Sequence, residues 1–211
     1  MKAPEVHLIH VDCDQQEYKA GFIETYKEVF AGPPYFESYD GDKVKVIEGI
    51  WNFHLAEGVI ILAKVERFVV GFGCAIPVLK SEEDILGYLR AKHEAGIFPP
   101  DLNDVWYMSD VGVRVAYRKH GIFLDFIQKR LLRILEFGNH HYVMRTAAEG
   151  SNSRRTYERI GSETIPGVQD VSDIDQVTEN SSQSKERVYL FGKCSVALER
   201  IAAIQNRWAV A

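Results

Sequence analysis

The chain has 211 residues, 46% hydrophobic and 26% charged, with a formal net charge of -5. These values suit a soluble globular domain with a full core and exclude a fibrous or low-complexity chain. The acidic balance supplies no global field for nucleic acid, so no nucleic-acid partner is expected and any anion site must be local. Cys13, Cys74 and Cys194 lie far apart without CxxC spacing, which argues against a disulfide framework or a zinc site and for a reducing compartment. No apolar run reaches the length of a membrane span, and the N-terminus shows no signal h-region, so a cytoplasmic protein without a membrane partner is expected.

In chain order, Val6 to Val11 reads as a strand. Asp14 can cap a helix from Gln15 to Phe30, which Gly32-Pro33-Pro34 would stop. A second helix runs from Gly41 to about Leu55, with Ile47, Ile50, Trp51 and His54 on one face. "VIILAKVE" and "RFVVGFGCAIPV" form a hairpin with a tight turn near Glu66-Arg67. Residues 81–104 read as an insertion, with a capping-box start in "SEEDILGYLRAKHEAG". Val105 to Val115 is a strand, a helix follows Gly121 to about Phe137, and "HYVMRTAAE" is the next strand. Asn152 can cap a short helix from Ser153 to Ile160. Residues 167–185 are polar and acidic and read as a mobile loop. "RVYLFGKCSV" is a last strand before a C-terminal helix.

This order predicts one α/β domain over residues 1–211, with a mixed sheet and helices on both faces. The unit from Val105 to Ala148 is expected to be a right-handed parallel crossover. In "VGVRVAYRKHGIFLDF" a β-branched run gives way to Arg118-Lys119-His120 and then Gly121, just where a helix begins. A helix N-terminus offers unpaired N–H groups and a positive dipole end, and glycine lets backbone approach a ligand closely. A basic turn of this kind is also a common solvated connection. GxxxxGK[ST] and GxGxxG are both absent, against a P-loop or a dinucleotide fold.

A second cluster, "NSRRTYERIGS", follows the next strand. With it the sequence resembles the GNAT superfamily of N-acetyltransferases. The family's [RQ]-x-x-G-x-[GA] loop is matched by "VRVAYRKHGIF", with Val113, Arg118 and Gly121 in register. The later N-x(4-5)-Y-E-x-x-G-F pattern is matched from Asn152 through Tyr157 to Gly161, and "FAGPPY" is similar to the family's opening loop. The pattern is broken at Phe123, where a small residue is usual, and at Ser162, where phenylalanine is usual.

The resemblance implies a GNAT-like acyl-CoA N-acyltransferase fold, with splayed central parallel strands that take acetyl-CoA as co-substrate and no metal. Val113 and Val115 would make main-chain bonds to the pantetheine arm. The turn of Arg118, Lys119, His120, Gly121, Ile122 and Phe123 would hold the diphosphate, and Asn152 would contact the cofactor arm. Tyr157 corresponds to the family's general acid. Asp110, on the strand ahead of the cofactor segment, is the candidate base or amine anchor, although a bulge near Gly112 would reverse its facing. The acceptor would be an amine of a small molecule or a peptide, and a homodimer is left open. Phe123 favours the alternative, a non-catalytic CoA-binding or interaction module on the same fold.

Other residues read as structural. Trp51 and His54 pack the second helix, which borders the acceptor pocket in the family. His140 and His141 are adjacent and are expected to point apart on a surface loop. Cys74 reads as a core residue.

Overall fold

The computed structural model describes residues 5–12, 15–32, 37–149, 151–170 and 186–210. The expected cap Asp14, the Pro33-Pro34 stop and the loop residues 171–185 lie outside them. The first elements are β1 (His7–His10), α1 (Lys19–Ala31), α2 (Val44–Glu57), β2 (Val59–Val65), β3 (Phe68–Pro77) and α3 (Glu83–Glu94). Then come β4 (Val105–Tyr107), β5 (Val111–Val113), α4 (Ile122–Glu136), β6 (His141–Ala147) and α5 (Asn152–Arg159). The chain finishes with β7 (Glu163–Thr164), β8 (Gln169–Asp170), β9 (Glu186–Lys193) and α6 (Cys194–Val210). Among the described residues, no helix is long and apolar enough to cross a membrane.

The described residues form two compact units. The first holds residues 5–75 and Asp110–Arg130; the second holds Ile76–Ser109, 131–170 and 186–210.

In the first unit the strands run β1-β2-β3-β5, each pair antiparallel. Glu66-Arg67 makes the two-residue turn between β2 and β3, with Glu66 at φ 53°. Strand alternation sends Phe72 and Cys74 into a core with Phe22, Tyr26, Ile47, Trp51, Ile60 and Leu62. The rings of Phe22 and Phe72 lie 5.0 Å apart, and those of Phe22 and Trp51 5.2 Å apart. Each such buried side chain contributes roughly 1.5–3 kcal/mol from area alone. Gly71 and Gly73 point the other way, against the Phe126 ring of α4, so helices cover both faces of this sheet.

Gly112 fills a tight spot in the same unit. A Cβ there would stand 2.8 Å from Phe72 Cζ and 2.8 Å from Val29 Cγ1. Gly112→Ala is therefore expected to cost about 1–3 kcal/mol through overpacking, read as a fall in Tm by thermal denaturation.

The second unit mixes pairings. Ile76 and Pro77 of β3 pair antiparallel with β4, and β4 pairs parallel with β6. β6 pairs antiparallel with β9, which also carries the short strands β7 and β8. Its core joins Ile85 and Leu89 of α3 to Val105, Val143, Ile165 and Tyr189. Tyr157 of α5 meets Tyr142 of β6, their rings 5.9 Å apart.

Three local expectations change. The strand expected from Val105 to Val115 is two short strands. Met108 N–H still bonds the Val143 carbonyl (2.8 Å), whereas the Asp110 carbonyl accepts from Cys74 N–H (2.7 Å), so the chain changes ladders over Ser109. Gly112 pairs regularly with Phe72, so the irregularity lies earlier than the expected bulge. At α3, Ser81 does not cap: its hydroxyl donates to the Val78 carbonyl, and Glu82 takes the N-cap position without a side-chain bond.

His140 and His141 do not point apart. Both ring Nδ1 atoms reach the carboxylate of Asp104, at 3.1 and 2.8 Å, and His140 N–H adds a bond of 2.6 Å. Burial would push the Asp104 carboxyl up, but these hydrogen bonds outweigh it and hold the group below its usual range.

Candidate active site

The basic turn lies in the first unit. β5 ends at Val113, and Val115–Tyr117 forms a 3-10 turn, so Val115 lies off the strand and two-thirds exposed. Its carbonyl accepts from Arg118 N–H at 3.2 Å. Arg118 Nε donates to the Val113 carbonyl at 3.0 Å, which folds this side chain back over the strand end. Arg118, Lys119 and His120 are exposed, Gly121 and Phe123 are half-buried and Ile122 is buried.

Lys119 and Gly121 have φ of 69° and 81°. These left-handed residues turn the chain so that the Gly121 carbonyl starts the α4 ladder, accepting from Leu124 N–H (2.8 Å) and Asp125 N–H (3.1 Å). The first N–H groups of a helix have no intrahelical partner. An open basic turn followed by such N–H groups fits a diphosphate.

The second unit carries Asn152 and Tyr157. The expected cap is displaced by one residue. Ser151 has extended backbone (φ -78°, ψ 121°) and its hydroxyl accepts from Arg154 N–H, so Ser151 is the N-cap. Asn152 is the first helical residue, exposed, with Oδ1 accepting from Arg155 Nη2 at 2.8 Å. Its side chain is therefore not committed to capping. Ser151→Ala should cost about 1 kcal/mol through the lost cap, whereas Asn152→Ala should leave stability nearly unchanged; chemical denaturation of the two variants checks this.

Tyr157 is 1% exposed. Ser162, at the family's phenylalanine position, is buried and shares a 2.8 Å hydrogen bond with the Tyr142 hydroxyl. The departure at Ser162 thus exchanges ring packing for a buried polar pair. A 410 Å³ pocket in this unit, lined among others by Pro99, His141, Phe191 and Val196, contains none of the predicted site residues.

Asp110 is half-buried in a polar cluster of the first unit. Tyr26 Oη donates to Asp110 Oδ1 at 3.4 Å. Burial, and then the Asp110 charge, push the Tyr26 phenol well above its usual value, and the same two causes raise the Cys74 thiol. Burial also raises the Glu37 carboxyl, which accepts a short bond from the Tyr39 hydroxyl.

Sequence reasoning assigns His54 to packing and does not single out Arg130. Arg130 of α4 is fully buried and donates from Nη1 to the Cys74 carbonyl at 2.8 Å and from Nε to Phe126 O at 3.2 Å. His54 of α2 is 4% exposed, and its Nδ1 lies 2.8 Å from the Ile50 carbonyl. Burial pushes its pKa below the usual histidine value, the Asp110 charge works against that, and the Arg130 charge works with it. The available signal for Arg130 was an arginine set among Phe126, Ile127, Leu131 and Ile134 on the apolar stripe of α4.

No protein-family model and no curated protein matches the sequence. Solved structures match its fold. A GNAT-family protein from Desulfovibrio desulfuricans is 12% identical with a TM-score of 0.59, over 90% of this chain and 99% of that one. The yncA structure from Salmonella typhimurium, with its cofactor acetyl-CoA, is 12% identical with a TM-score of 0.61, over 90% and 94%. A ribosomal-protein-alanine N-acetyltransferase from Brucella melitensis is 13% identical with a TM-score of 0.62, over 89% and 99%.

The fold is that of the GNAT acetyltransferases. Within this GNAT fold, the turn between β5 and α4, and α5 with the turn after it, hold the residues of the two sequence motifs.

Proposed function

We propose that the chain is a CoA-dependent N-acetyltransferase, moving an acetyl group from acetyl-CoA to a primary amine of a small molecule or peptide by direct attack. The observation that carries this reading is the open turn at Lys119–Gly121, twice left-handed and basic, leading into the N-terminus of α4. The GNAT fold and the second motif support it.

In this reading the turn from Arg118 to Phe123 holds the diphosphate through N–H groups and local positive charge. Val113 and Val115 lie along the pantetheine arm, and Asn152 contacts the cofactor. Acetyl-CoA supplies an activated thioester. An alkylamine is mostly protonated at pH 7, with a pKa of roughly 10. The half-buried carboxylate of Asp110 anchors the ammonium, which gives one proton to solvent before attack, and Asp110 takes the second proton from the attacking nitrogen. The new C–N bond forms as the C–S bond breaks, and Tyr157 gives its hydroxyl proton to the leaving sulfur. In sum the ammonium gives one proton to solvent and one to Asp110, Tyr157 gives one to sulfur, and exchange with solvent restores both side chains.

Titration calorimetry with acetyl-CoA, followed by a thiol-release assay over a panel of amines, tests this. Binding tighter than about 1 mM together with amine-dependent thiol release is expected. Binding without release for any amine would leave a CoA-binding module.

A further inference from the structure

The 410 Å³ cavity of the second unit shares no residue with the site proposed for acetyl transfer. Its volume falls within the range of small-molecule sites, roughly 300–1,000 Å³. Strand register builds its floor. His141 of β6 stands opposite Lys193 of β9, and Glu163 of β7 stands opposite Phe191 of β9. Residues two apart on a strand share a face, so these four side chains stand on one face of the sheet. The Phe98 ring meets the Phe191 ring edge-on at 5.3 Å, which sets the neighbouring Pro99 at the cavity. Val196, in the first turn of α6, adds a further apolar wall.

The polar groups of this cavity do not satisfy one another. Asp104, an ionised carboxylate, can only accept, so His141 Nδ1 carries the hydrogen of their 2.8 Å bond and the neutral ring has its lone pair on Nε2. Among the described residues, His141 Nε2, the Glu163 carboxylate and the Lys193 ammonium have no hydrogen-bond or ion-pair partner. Glu163 and Lys193 are diagonal neighbours on β7 and β9. The Cα atoms of such neighbours are about 7–8 Å apart. A simple anion at Lys193 would also meet the Glu163 charge, and a simple cation at Glu163 would meet Lys193. A molecule with an ammonium and a carboxylate on one carbon answers both.

We propose that this cavity binds a free apolar α-amino acid. The ligand's carboxylate pairs with Lys193 and its ammonium with Glu163, while its side chain lies against Phe191, Pro99 and Val196. The His141 ring, fixed by Asp104, closes the side of β9 away from Glu163. Exposed charges of this kind orient a ligand more than they tighten it. The site stands whether or not the chain transfers acetyl groups, because none of its residues belongs to that reading.

Calorimetry on the full chain with L-phenylalanine and L-leucine tests this without acetyl-CoA. Saturable binding of at least one of them is expected, with a Kd of about 1 mM or tighter, and NMR should show the His141 ring signals moving as it binds. Lys193→Gln and Glu163→Gln lie at exposed positions, and thermal melting verifies that both fold. Each should weaken amino-acid binding by about three- to fivefold. Two truncated probes separate a lost contact from general damage. Phenylpropanoate lacks the ammonium and should bind Glu163→Gln better than wild type. Phenylethylamine lacks the carboxylate and should bind Lys193→Gln better than wild type. Binding of neither amino acid overturns the proposal. So does a truncated probe that binds wild type as tightly as phenylalanine, or amino-acid binding that leaves His141 unmoved and is indifferent to both substitutions. Each of these outcomes leaves the acetyltransferase reading untouched, and that reading fails separately if the wild type neither binds acetyl-CoA nor releases thiol.

Discussion

Replacing Tyr157 by phenylalanine is expected to lower kcat by roughly 10²- to 10⁴-fold while acetyl-CoA affinity stays within about twofold, because only the proton donor is removed. The ring is 1% exposed and packs on Tyr142, so phenylalanine fills the same space. Taking one hydroxyl from a buried site costs about 1 kcal/mol of stability, too little to unfold the chain. The loss must therefore appear in turnover. Equal turnover in Tyr157→Phe would remove this residue from the mechanism.

The second large effect belongs to Gly121. At φ 81° a side chain is disfavoured whatever space surrounds it. Any other residue adds about 1–2 kcal/mol of backbone strain. Gly121→Gln should shift the turn toward right-handed conformers, and apparent affinity falls with the fraction that keeps the binding shape. Adding the Cβ that now stands at the backbone approach, acetyl-CoA binding should weaken by about tenfold or more, since each 1.4 kcal/mol is a factor of ten. Lys119→Gly is the matched control. It removes strain at φ 69° and one charge, so its loss should be smaller and should fade with added salt. Unchanged affinity in Gly121→Gln would show that this turn is not the cradle.

Particular residues show what the sequence could carry. Glu66-Arg67 between two β-branched runs marked the hairpin, and Gly121 marked the start of α4, because both signals are local backbone chemistry. The cap of α5 was missed by one position. Serine and asparagine cap almost equally well, and the choice falls to Ser151 because its backbone is the extended one. The division of the strand between Val105 and Val113 was hidden because its cause lies in other strands: Met108 is claimed by Val143 and Asp110 by Cys74. The setting of Arg130 was illegible for a related reason: the Cys74 carbonyl that it donates to lies on β3, far back along the chain. Helical spacing did show that His54 faces inward with Ile47 and Trp51. His140 and His141 misled the strand argument, because both rings turn to one carboxylate, Asp104.

Gly71 and Gly73 form the seat on which α4 rests. The Phe126 ring rests directly on their backbone, one turn inside the helix whose first residues follow Gly121. A methyl group on Gly73 would press on Phe126 Cβ and Cγ at 3.2 Å and on Arg130 Nε at 3.3 Å. Relief would come by lifting α4, and the lift would be felt at its leading end and at the arginine together. Variation at this seat would then disturb the leading turn of α4 and the buried Arg130 together, a double effect from a single added carbon.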